Sequence, residues 1–153
     1  MPVTSSDLKF FQSELEGSVG GAMSLIEVPK DEMCLLFRDV TRDQASNGLV
    51  DYKKLFMVNT NPADDLFVTK MWMLMQPGDR IEMAVGLGTL TDADGSVISY
   101  STPDSIENSI YLGDLGSGKV TPIWLRRAVP TGIPEFEKDF FQLAFAGKAE
   151  IGA

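Results

Sequence analysis

The chain has 153 residues, 44% of them hydrophobic, which is enough to fill one core in one domain and excludes a disordered protein. Its 22 Asp and Glu against 13 Lys and Arg give a net charge of −9, which argues against a primary nucleic-acid binder because phosphate backbones are held by clustered Lys and Arg. There is no histidine and Cys34 is the single cysteine, so Ser-His-Asp and Cys-His nucleophile systems, histidine bases, most transition-metal sites and an internal disulfide all drop out.

Residues 1–40 read as an extended N-terminal arm. The start, MPVTSSDLKFFQSELEG, lacks the basic opening and apolar core of a secretion signal, and no run approaches the length of a membrane span, so a chain made and used without crossing a membrane is expected. LKFFQ, LEGSVGGAM and SLIEVP place apolar side chains between Gly17, Gly20 and Gly21 without a period long enough for a stable helix or a full strand. Phe10, Phe11, Val19 and Met23 on such a segment have two readings: an arm that buries them on a neighbouring subunit, or an edge strand folded on its own domain. On the first reading, a chain without residues 1–28 still folds.

Residues 41–153 read as a single all-β domain. TRDQASN (41–47) allows a turn or two of helix, with Asp39 or Thr41 as cap and Gly48 as stop. After it come YKKLFMVN (52–59), the turn TNPADD, and LFVTKMWMLM (66–75), a hairpin or a crossing between sheets. RIEMAVGL (80–87) alternates, with Ile81, Met83, Val85 and Leu87 on one side. VISY (97–100), IENSIYL (106–112), VTPIWLRRAV (120–129) and DFFQLAFA (139–146) complete about seven strands with turn signals between them. That pattern predicts an antiparallel β-sandwich, Ig-like or jelly-roll-like.

Four stretches invite chemistry. GDLGSGKV (113–120) has the glycine and lysine spacing of a phosphate loop, but Val120 stands where a magnesium-binding hydroxyl belongs. Pro122 and a β-branched run follow in place of a helix, so the stretch reads as a turn between strands. DADGS (92–96) opens like a calcium loop, yet its twelfth position is Pro103 and not glutamate, so it reads as a hairpin turn, with a loose surface cation site as the weaker alternative. Asp64 and Asp65 beside Pro62 are turn residues. Met71, Trp72, Met73 and Met75 read as core packing rather than the lining of a ligand pocket. No enzyme, cofactor or small-molecule substrate is expected.

VTPIWLRRAV carries the interface expectation. With Thr121, Ile123, Leu125, Arg127 and Val129 on one face and Val120, Trp124, Arg126 and Ala128 on the other, neither face is wholly apolar. If Ile123 and Leu125 are core, Trp124 and Arg126 share the outer face, as residue types enriched at interface hot spots. At least one of Arg126 and Arg127 should be exposed, where it can hold an acidic neighbouring subunit.

Taken together, SSDLKFF…GSVGGAMS, LFRDVTRDQASNGLVDYKKLFMVNTN and YLGDLGSGKVTPIWLRRAVPTGIPEFEKDFFQLAFAG resemble a group of tailed-bacteriophage virion proteins. Those proteins show an LGG-type arm, a D-V-T…E/Q-A…G…Y motif before the first strand, and an LGDL…G…IW-R-R-V-P ending. The similarity spans nearly the whole chain, and the arm departs from it at the acidic LEGS stretch. The resemblance implies a structural role in the virion, assembled in the bacterial cytoplasm, with copies of the chain and other virion proteins such as the major capsid protein as partners, and with no nucleic acid or membrane. Capsid decoration is the first reading; a neck, tail or baseplate component is the second. A carbohydrate- or ligand-binding β-domain is the rival from another class, and it needs an exposed aromatic platform from Trp72 and Trp124.

Overall fold

A computed structural model describes residues 3, 7–13, 23–28, 46–75, 82–90, 95–131 and 142–148. Among the described residues eight strands run in chain order: β1 (Leu8–Ser13), β2 (Met23–Val28), β3 (Leu49–Asn59), β4 (Leu66–Met75), β5 (Glu82–Leu87), β6 (Ile110–Leu115), β7 (Val120–Val129) and β8 (Gln142–Lys148). They form a five-stranded sheet, β2-β1-β3-β7-β5, and a three-stranded sheet, β6-β4-β8, with every pair antiparallel. The expected all-β sandwich is present. From β3 onward each connection passes from one sheet to the other, so TNPADD is a crossing and not a hairpin.

The core lies between the sheets. Alternation along β3, β5 and β7 turns Leu55, Met57, Met83, Val85, Ile123 and Leu125 inward, where they meet Met71 and Met73 of β4, Leu115 of β6, and Leu143 and Phe145 of β8. These residues read as strand from their period of two and are core for the same reason.

Of the opening forty residues, the described strands β1 and β2 pair within the five-stranded sheet. β1 lies between β2 and β3, with Phe10 opposite Met57 and Phe11 opposite Phe56. Phe10 is 3% exposed, belongs to the core, and has its ring 5.4 Å from that of Phe145. The described parts of the segment, 8–13 and 23–28, therefore belong to the domain, because a strand laid along β3 satisfies its backbone and buries its phenylalanine at once. Cys34 and Val19 lie outside the described residues. Ser46 and Asn47 are helical and Gly48 follows with φ of 82°, as expected of a helix stop.

Two strand expectations fail for a common cause. IENSIYL becomes strand only from Ile110; before it, the Asn108 N–H donates to the Ser105 backbone and hydroxyl oxygens, both at 3.2 Å, and the Ser109 hydroxyl donates to Ile106 O at 2.8 Å. Local side-chain bonds of this kind compete with a ladder and make a turn. VISY is not a strand either. Gly95–Val97 is a 3₁₀ turn, and the chain then runs as a strap. Ser101 exchanges two 2.9 Å backbone bonds with Val85 on the edge of the five-stranded sheet, and Pro103 O accepts from Met73 N–H at 2.6 Å in the other sheet. The strap thus closes one side of the sandwich and covers part of its outer face.

Candidate interaction surface

The phosphate-loop spacing is resolved by the turn it sits in. Gly113 belongs to β6, and Gly118 has φ of 79°, a conformation that a side chain disfavours. The amides that would cradle a phosphate are committed elsewhere: Ser117 N–H donates to Asp65 Oδ1 at 3.0 Å, Gly118 N–H to Asn59 O at 2.8 Å, and Lys119 N–H to Gly116 O at 2.9 Å. Lys119 Nζ donates to Asp114 O at 3.1 Å. Asn59 and Asn61 tie the crossing turn to the same place, since Asn59 donates to Leu115 O at 2.9 Å and Asn61 Oδ1 accepts from the amides of Ala63 at 3.0 Å and Asp64 at 2.8 Å. Asp64 and Asp65 are turn residues, as read. Of the DADGS stretch, Asp92 and Asp94 lie outside the described residues, and no group of metal-ligating side chains occurs among those that are described.

β4 carries a bulge opposite this turn. Leu66 pairs with Leu115 and Thr69 with Gly113, so two residues face one, and Val68 takes φ of 52°, which is strained for a β-branched residue. Its N–H donates to Asp114 Oδ1 at 3.0 Å, which holds the bulge.

The outer face of the five-stranded sheet is where the expected interface residues sort themselves. Ile123 and Leu125 are core, the register under which Trp124 is expected on an outer contact face, yet Trp124 is 0% exposed. A second apolar layer covers it: Gly95 sits so close that a Cβ there would lie 2.7 Å from Tyr52 and 2.9 Å from Trp124. A Cβ at Gly86 would lie 2.6 Å from Ser99 O. Phe56 and Ala84 are buried on the same face, and Lys54 is buried there with Nζ 5.0 Å from the Phe56 ring centroid and 5.6 Å from that of Trp124. The indole is therefore packed within the fold.

The two arginines part as strand alternation demands. Arg127 points inward, is buried, and clamps Asp51 through Nε–Oδ1 at 3.1 Å and Nη2–Oδ2 at 2.8 Å. This bidentate bridge lies within the chain. Arg126 is the half-buried one of the two, with 34% of its side chain accessible. Its guanidinium lies 5.0 Å over the Tyr100 ring, and Nη2 is 3.7 Å from Glu82 Oε1 on the neighbouring strand. Tyr100 packs on Tyr52 with ring centroids 5.8 Å apart, and its hydroxyl donates to Gly95 O at 2.9 Å.

A corner of the outer face results. Tyr52 pairs with Arg126, Val50 with Ala128, and Glu82 with Ala128 from the other side, so Val50, Tyr52, Ala128, Arg126 and Glu82 share one surface. Val50 is 53% exposed and the Glu82 side chain 57%. Of the expected interface residues, this corner holds Arg126 alone. Phe10, Trp124 and Arg127 are buried in the fold; Phe11 is half-buried on the outer face beside Phe56, and Met23 is half-buried at the start of β2. Tyr100 and Glu82 were not singled out, and only the polar side of the alternation in RIEMAVGL pointed outward for Glu82. The aromatic platform of the carbohydrate reading loses Trp124, while Trp72 is half-buried on the other sheet. No family model, no curated protein and no solved structure matches the chain.

Proposed function

We propose that the chain is a non-enzymatic structural protein of a bacteriophage particle, with decoration of the head as the first reading within it. One observation carries the proposal: the residues of the virion-like motifs are spent on architecture. In LGDLGSGKVTPIWLRR, Gly113 faces the bulge, Asp114 holds its amide, Leu115 and Trp124 are buried, and Arg127 clamps Asp51 of the motif stretch GLVDYKK. Side chains used in this way preserve a shape, which is what a particle component requires, and they leave surface residues to vary with the partner.

The partners on this reading are copies of the chain and other virion proteins such as the major capsid protein. A chain of net charge −9 suits the company of protein surfaces better than that of packaged DNA. Quantitative gel densitometry of purified particles tests the proposal. A copy number comparable to that of the major capsid protein supports head decoration; a few copies per particle support a neck, tail or baseplate component; absence from particles made in cells that express the chain overturns the reading.

A further inference from the structure

We propose that the corner formed by Val50, Tyr52, Ala128, Arg126 and Glu82 is a self-complementary contact through which two copies of this chain pair about a two-fold axis. The inference rests on the assembly reading above, and it is tested apart from it, in solution and without particles.

The charges choose the occupant. The Arg126 guanidinium lies 5.0 Å over the Tyr100 ring, a cation–π contact that favours this placement before any partner arrives. Its bridge to Glu82 is 3.7 Å long between two solvent-accessible side chains, a type of pair that contributes little by itself and exchanges readily. A purely acidic partner would meet Glu82, and a purely basic one would meet Arg126. A surface that presents both signs at the same spacing avoids both conflicts, and a second copy turned through a two-fold axis does so by symmetry, with Arg126 of each copy reaching Glu82 of the other. Beside the charges, Val50 and Ala128 supply apolar area, and Tyr52 adds an aromatic ring of the kind enriched at contact centres. The surroundings are firm, because Tyr52 and Tyr100 are packed on each other and Tyr100 is tied to Gly95. Little ordering is then required on association.

Charge reversal decides it. Arg126→Glu gives a corner with two carboxylates and Glu82→Arg a corner with two guanidinium groups, and each variant alone should associate about tenfold or more weakly than the natural chain in a sedimentation-velocity concentration series. An equal mixture of the two should recover association, because every contact across the axis is again between opposite signs. Val50→Glu supplies a second probe at an exposed residue outside the tyrosine stack. It should weaken association without shifting the thermal midpoint. A natural chain that stays monomeric over the series, variants that associate like the natural chain, a mixture that behaves as the separate variants do, or an indifferent Val50→Glu would each overturn the proposal. A chain that pairs in solution yet is missing from particles would instead count against the assembly reading and leave the contact standing.

Discussion

The two faces of the five-stranded sheet are both buried at their centre, but by different means. Inward, Leu55, Ile123, Leu125 and Val85 meet a second sheet whose own alternation matches theirs. Outward, Phe56, Trp124 and Ala84 are buried on a face that an irregular strap partly covers, and it approaches the sheet through two glycines, Gly86 and Gly95. The comparison teaches why VTPIWLRRAV carries apolar residues on both faces. A central strand buried on both sides has no need of a polar one. Its two arginines mark where each layer ends, Arg127 at the inner margin against Asp51 and Arg126 at the outer margin against Tyr100.

If both layers are core, truncation on either side should be expensive. Trp124→Ala is expected to cost about 3–5 kcal/mol and Leu125→Ala about 2–5 kcal/mol, measured by denaturant unfolding. A Trp124→Ala variant nearly as stable as the natural chain would break the comparison and return the indole to the surface. Phe10→Ala belongs with these, since its ring lies in the inner layer against Phe145, and about 3–5 kcal/mol is expected there as well. For the same reason a chain lacking residues 1–28 should fail to fold stably, contrary to the expectation of a detachable arm.

The strap gives the next effect. Gly86→Ala places a methyl group where Ser99 O stands, and backbone cannot yield as a flexible side chain does. Overpacking of about 1–3 kcal/mol is expected. Amide hydrogen exchange localises it: the N–H groups of Ser101 and Val85, each of which donates to the other residue's carbonyl, should exchange faster, while those of Leu55 and Ile123 in the sheet interior keep their protection relative to global unfolding. Equal acceleration everywhere would mean that the strap is one cooperative unit with the core.

The buried ion pair follows in size. Asp51→Asn keeps the shape but removes the charge that faces a buried guanidinium, while the carboxylate itself is partly accessible to solvent, which softens the loss. About 2 kcal/mol is expected. Arg126→Gln, at the outer margin, should cost well under that, because an accessible arginine pair contributes little to folding. Equal losses at the two arginines would erase the distinction between inner and outer margin.

How far the sequence was legible tracks the same contrast. Strands whose side chains alternate against another sheet, β3, β4, β5 and β7, announce themselves by a period of two, and their inner residues follow from it. The outer layer rests on contacts without a period: a glycine against an indole, a lysine between two aromatic rings, a tyrosine hydroxyl on a turn carbonyl. VISY and IENSIYL imitate strands in residue type and lose to local hydrogen bonds that only coordinates reveal. Phe10 is ambiguous for another reason, since an apolar residue on a short segment looks alike whether its own domain or a neighbour buries it. Arg126 was legible as an outward residue type on strand alternation, but its companions Tyr100 and Glu82 come from distant positions.

An effect of the opposite sign lies in the inner layer. Thr69 of β4 and Thr121 of β7 are buried, and among the described residues neither hydroxyl has a hydrogen-bond partner. A buried hydroxyl without a partner keeps the cost of leaving water and gains nothing in return. Valine has nearly the same shape and the same strand preference, so Thr69→Val replaces an unpaired oxygen with a methyl group beside an apolar core. A gain of about 1 kcal/mol is expected, read as a rise in the thermal midpoint of about 2–4 °C for a chain of this size. Thr121→Val should act in the same direction but less, since that residue retains slight exposure. Lys54, the polar residue of the outer layer, provides the contrast: Lys54→Met removes a cation seated against Phe56 and Trp124 and should not stabilise. If Thr69→Val destabilises instead, the hydroxyl is engaged in the folded protein, and the inner layer is no more purely apolar than the outer one.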